Sequence, residues 1–131
     1  MNAFLVDLKN EPGELARIAE AIAAKGTNIE VIAGSTCGSS GRLVMATNDD
    51  AAAQNALSAA GCSFETREIV DATMPHTPGS LAKVARRLAD AGVNIEALVP
   101  TGMNDRGVSV ALITDQPAKA REALAHATAM G

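Results

Sequence analysis

Two short runs hold the residues best suited to bind a small molecule: Asn10-Glu11-Pro12-Gly13-Glu14-Leu15-Ala16 and, 66 positions on, His76-Thr77-Pro78-Gly79-Ser80-Leu81-Ala82. Each reads as a turn that opens a helix. The first N–H groups of a helix have no partner within it and carry partial positive charge, so a carboxylate can sit at such a start. Gly13 and Gly79 present no Cβ to an approaching group. Asn10 adds an amide whose oxygen accepts while its nitrogen donates, and Asn28 and Asn94 offer the same in Gly26-x-Asn28-Ile29 and Gly92-x-Asn94-Ile95. A plainer use stands beside each of these. Asparagine is favoured at helix boundaries and hairpin entries, and His76 suits a solvated turn.

Other chemistry finds little support. Cys37 and Cys62 are far apart and form neither a CxxC pair nor a zinc ligand set, so both read as reduced and structural. The segment holding Gly34, Gly38 and Gly41 lacks the Gly-Lys-Ser/Thr ending of a phosphate loop and precedes a strand, which predicts a flexible hairpin tip. Arg86-Arg87 lies between the apolar Val84 and Leu88 and suits a solvated helix face, and His126 is placed on the surface of the last helix. No acid, base, nucleophile or metal-ligand cluster is evident, so neither catalysis nor a metal or cofactor is expected. A net charge of −4 with two Phe and no Trp or Tyr argues against nucleic acid. No apolar run is long enough to span a bilayer, and Met1 leads straight into an alternating stretch without a charged, apolar leader, so the cytoplasm is expected.

The elements that must position these residues are themselves duplicated. Residues 12–30 and 78–96 share ten identities in nineteen positions, too many for chance, so one unit is repeated. Gly41, Val44 and Asp49 align on Gly107, Val110 and Asp115 at the same offset, which slips by one at Ala56-Leu57 against Ala123-Leu124. In each unit a strand ends at Pro-Gly and apolar residues then take helical spacing: Leu15, Ile18, Ala19, Ile22 and Leu81, Val84, Ala85, Leu88. Pro12 and Pro78 are placed in the first helical turn, and Gly26 and Gly92 supply the left-handed position that ends each helix. Hairpins follow, then second helices over about 50–60 and 116–129 capped by Asp49 and Asp115. Residues 62–69 form a further strand that passes directly into 70–74. The expected fold is α+β with antiparallel sheets, in two domains spanning 1–69 and 70–131, the second without an evident final strand. Two cores this small predict packing of one module on another or on a second chain.

The order strand-helix-strand-strand-helix-strand, with Pro-Gly-x-Leu-Ala and Gly-x-Asn-Ile at the same spacing in both halves, resembles the ACT family, and stand-alone tandem ACT proteins in particular. That resemblance covers nearly the whole chain. It implies a ferredoxin-like βαββαβ fold and regulatory binding of a free amino acid between paired domains. It also assigns ligand contacts to Asn10, Glu11, Gly13, Leu15, Asn28 and Ile29, and to His76, Thr77, Gly79, Leu81, Asn94 and Ile95. His76 departs from the pattern, which has asparagine there. A helix from Pro12 to about Lys25 is roughly 20 Å long, so Asn10 and Asn28 cannot meet on one ligand. A crossed arrangement follows, in which Asn10, Gly13 and Leu15 share a site with Asn94 and Ile95, and His76 and Gly79 share one with Asn28 and Ile29. The site that keeps both asparagines is expected to bind more readily. Exposed sheet edges predict a homodimer. Two roles are compatible with this: an amino-acid sensor that signals to a partner, or an interaction subunit of an amino-acid biosynthetic enzyme whose pockets have degenerated.

Overall fold

The first helix forms where Ile18 and Ile22 recur one turn apart on a face that closes on the sheet, and both are fully buried. A computed structural model describes residues 1–129, with side chains through residue 125, so His126 lies outside the described side chains. The elements run β1 (Asn2–Lys9), α1 (Glu14–Ala23), β2 (Ile29–Cys37), β3 (Ser40–Thr47), α2 (Asp50–Ala59), β4 (Phe64–Met74), α3 (Ser80–Asp90), β5 (Ile95–Asn104), β6 (Gly107–Thr114) and α4 (Pro117–Ala129). The chain divides into two compact units, Met1–Arg67 and Glu68–Gly131, and the division falls inside β4, one continuous strand.

In the first unit β3 pairs antiparallel with both β1 and β2, and the Asp7 N–H donates to the Ser63 carbonyl, just before β4, at 2.9 Å. Phe4 and Val6 from β1, Leu43 and Met45 from β3, Ile18 and Ile22 from α1, and Ala53, Ala56 and Leu57 from α2 make its core. In the second unit β6 pairs antiparallel with β4 and β5. Its core joins Val70 and Met74, Val110 and Leu112, Val84 and Leu88, and Ala120 and Leu124. Alternation along the strands separates these residues from a second buried set at the intervening positions, Ala3, Leu5 and Ala46 in one unit and Ile69, Ala111 and Ile113 in the other.

Several local expectations are corrected. Pro12 and Pro78 precede the helices; the N-cap residues are Gly13 and Gly79, both at φ 89°. A Cβ at either would meet nothing within 4 Å, so left-handed backbone, not crowding, requires glycine there. Leu15 and Leu81 do not join the buried helix faces; they sit in the first turn, 53% and 51% exposed, ahead of the residues that meet the core. The expected glycine loop is mostly strand: Gly34 and Gly41 lie in β2 and β3, and only Gly38 and Ser39 form the turn between paired Cys37 and Ser40. Gly38 has φ 65° while, among the described residues, no non-glycine residue has positive φ, the pattern of a tight two-residue hairpin.

The repeat also slips earlier than the sequence alignment places it. Leu43 matches Val110, Thr47 matches Thr114 and Asn48 matches Asp115, all 67 apart, because β5 carries one extra residue, Thr101, between Pro100 (paired with Val110) and Gly102 (paired with Ser109). Asp49 caps α2 by accepting from the Ala52 N–H at 3.1 Å. Asp115 does not cap α4; its carboxylate accepts from the Asn94 N–H at 2.9 Å, as Asn48 Oδ1 accepts from the Asn28 N–H at 3.0 Å.

Thr47 and Thr114, both buried, diverge in one respect. Thr47 Oγ1 donates to the Asp49 carbonyl at 3.0 Å, whereas Thr114 Oγ1 has no hydrogen-bond partner among the described residues. An unpaired buried hydroxyl costs about 1–3 kcal/mol. Thr114→Val is therefore expected to raise unfolding free energy by about 1 kcal/mol and Thr47→Val to lower it by a similar amount, as read from urea midpoints. Equal effects of the same sign would show that Thr114 is satisfied.

Candidate functional site

A groove of about 520 Å³ opens in the first unit between the β1–α1 turn and β2. Leu8, Lys9, Asn10, Glu11, Glu14 and Leu15 line one side; Ile32 to Thr36, with Leu43 beneath, line the other. Its size falls within the range of small-molecule sites. Of the residues singled out in this unit, Asn10, Glu11 and Leu15 meet here and Gly13 caps the adjoining helix. Asn28 and Ile29 do not line the groove: α1 separates them from Asn10, and Ile29 packs against the core instead. In the second unit His76, Thr77, Gly79 and Leu81 gather at the start of α3 and are exposed. Asn94 and Ile95 lie past the other end of α3, with Ile95 packed on the second core.

Asn10 has a structural task that fixes what it can offer a ligand. Its N–H donates to the Ser39 carbonyl at 2.9 Å and its Nδ2 to the Gly38 carbonyl at 2.9 Å, so the turn after β1 is tied to the β2–β3 hairpin tip. One of the two amide N–H donors is thus engaged with the protein, while Oδ1 can still accept a hydrogen bond. Asn28 and Asn94 act through their backbones. Each carbonyl accepts an N–H, from Asn48 and Asp115 respectively, at 3.2 Å, locking the start of β2 or β5 to the end of β3 or β6.

Glu14 is a groove residue that sequence reasoning missed. Its Oε2 accepts from Arg17 Nε at 2.9 Å and its Oε1 from the Lys9 N–H at 3.1 Å. Arg17 in turn donates to the Ala60 carbonyl at 2.8 Å and lies 3.7 Å from Cys62 Sγ. The Arg17 hydrogen bond, then that from Lys9, holds the Glu14 carboxyl below its ordinary value, and the Glu14 contact raises Arg17. A carboxylate so occupied is a wall of the groove rather than an open acceptor. The i, i+3 spacing of Glu14 and Arg17 was the available signal. β2 residues 32–36 were hidden because the glycines there read as a loop.

The pH consequence has a definite sign. A carboxyl whose folded pKa is depressed contributes stability above its unfolded value and loses it as pH falls through the folded one. The stability difference between the parent and Glu14→Gln is expected to shrink as pH drops from 6 to 3, measured by urea unfolding of both. A difference that stays constant over that interval would show that the Arg17 and Lys9 contacts do not favour the ionised form.

Among the described residues no group of three or more His, Cys, Asp or Glu could hold a metal ion, and no helix is long and apolar enough to cross a membrane. Arg86 pairs with Asp90 at 3.7 Å on an exposed helix face.

No protein-family model matches the sequence, and no curated protein matches it. Solved structures do. Protein BT0572 from Bacteroides thetaiotaomicron matches with a TM-score of 0.81 and 24% identity, over 97% of this chain and 88% of that one. The regulatory subunit of aspartate kinase from Thermus thermophilus matches at 0.68 and 22%, over 96% and 90%. Aspartate kinase from Synechocystis matches at 0.67 and 18%, over 96% of this chain but 25% of the kinase. At these identities the likeness establishes the fold alone, which is α+β. The Thermus neighbour is a regulatory subunit of that kinase.

Proposed function

We propose that this chain is a tandem of two ACT-type domains that binds a free amino acid in the first-unit groove and passes its occupancy to a metabolic enzyme. The observation that carries this reading is the groove itself, where donors, acceptors and an apolar wall meet within one unit. The α-carboxylate lies at the unpaired N–H groups that begin α1, near Lys9, and the ammonium faces Asn10 Oδ1 and Glu11. The side chain rests on Leu15, Ile32 and Leu43. Leu15 and Ile32 leave the groove open, 53% and 42% exposed. A second copy of the chain closes it in a homodimer, bringing an Asn-Ile strand entry of the kind seen at Asn94-Ile95. Coupling to a partner requires that the ligand prefer one arrangement of the assembly. The fold shared with a kinase regulatory subunit favours an amino-acid biosynthetic enzyme as that partner.

The test is a thermal-shift screen of the twenty common amino acids on the parent, Asn10→Ala and Asn94→Ala. An amino acid present at 100 times its dissociation constant is expected to add about 2.7 kcal/mol to the parent, with a smaller gain in both variants. If no amino acid shifts the parent, the sensing role is lost and an interaction subunit with empty pockets takes its place. If Asn94→Ala alone leaves the gain intact, the facing half of the pocket is wrongly assigned.

A further inference from the structure

The two units differ at one cross-strand pair on the floor of the groove. In the first, Gly34 pairs with Leu43, and a Cβ placed on Gly34 would lie 2.4 Å from Leu43 Cδ2. A side chain at residue 34 would have to push the end of Leu43 aside, and the bare backbone leaves the groove open above Leu43. In the second unit the matching pair is Pro100 and Val110. The partner has shrunk from Leu to Val, and a pyrrolidine ring stands where the first unit has only hydrogen. Directly after it comes the extra residue, Thr101, so β5 is bulged where β2 presents Ser35 to the groove. The start of α3 also lacks the Glu14–Arg17 pair. Ser80 and Lys83 stand there, and Ser80 Oγ meets Thr77 Oγ1 at 2.9 Å.

We infer that the duplicated units are functionally unequal: each chain takes up one amino acid, in the first-unit groove, and Pro100 with the Thr101 bulge closes the counterpart in the second. This rests on the amino-acid reading above. Gly34 is the residue that decides which unit binds.

The experiment is calorimetric titration of the intact chain with each of the twenty common amino acids, scored for stoichiometry. One ligand per chain is expected. Transplanting the closed pair, Gly34→Pro with Leu43→Val, is expected to abolish uptake, beyond any loss that Leu43→Val causes alone. Should the proline variant fail to fold, Gly34→Ala with Leu43→Val fills the same space more gently and is expected to weaken binding at least about tenfold, equivalent to about 1.4 kcal/mol. Two ligands per chain, or unchanged affinity in the transplanted variant that folds, overturns the inequality while leaving amino-acid sensing in place. No uptake of any amino acid by the parent overturns the sensing role and this inference together.

Discussion

Gly107→Ala is expected to lower unfolding free energy by about 3–5 kcal/mol, enough to consume much of the roughly 5–15 kcal/mol that holds a typical domain folded. Two separate costs coincide at this position. Gly107 has φ 143°, a conformation rarely adopted by residues with a side chain and worth about 1–3 kcal/mol of strain. A Cβ there would also lie 2.1 Å from the Met74 carbonyl oxygen and 2.9 Å from its carbon, and backbone cannot rotate aside as a side chain can. The contact sits where β4 ends and the Pro75-His76-Thr77 turn begins, so relief would have to displace that turn. Gly102→Ala is the control. It lies in the same strand pair, without positive φ and with nothing within 4 Å of a Cβ, so its effect should fall within about 0.5 kcal/mol. Urea unfolding of both variants decides the matter; equal midpoints would mean that the Met74 carbonyl can move freely.

The helix entries of the two repeats align readily, and the hairpins do not. Pro-Gly-x-Leu-Ala and Gly-x-Asn-Ile were legible because each glycine answers a local backbone demand, φ 89° at the helix entries and φ 70° and 75° after the helices. The buried faces at Ile18 and Ile22, and at Val84 and Leu88, were equally legible from helical spacing. What stayed hidden depends on partners distant in the chain. Gly34 and Gly41 read as loop formers, yet in the sheet they are small because Leu43, Leu8 and Thr36 crowd them. The single-residue slip was placed near the second helices, although it arises at Thr101, because the bulge shows only in the pairing of β5 with β6. The candidate site divides along the same line. Asn10, Glu11 and Leu15 are consecutive with the motif and were found, whereas Ile32 to Thr36 join the groove only through the sheet.

Ile18→Ala is expected to cost about 2–5 kcal/mol, since it removes a fully buried side chain from the cluster that includes Phe4, Val6, Leu43 and Met45. Alanine's better helix propensity returns only about 0.4 kcal/mol, too little to offset a cavity of that kind. Leu15, one turn earlier on α1, provides the contrast. It is half exposed and borders the groove, so Leu15→Ala should change stability by less than about 1 kcal/mol yet shrink the thermal shift produced by an amino acid. The two substitutions separate what α1 does for folding from what its first turn does for a ligand. If Leu15→Ala destabilises the unliganded protein as much as Ile18→Ala, the first turn belongs to the core and the groove loses its apolar wall. If Ile18→Ala unfolds the protein while Leu15→Ala changes only the ligand response, the exposed leucine at the helix entry is kept for binding, and the sequence pattern that groups it with the core residues conceals two different physical roles.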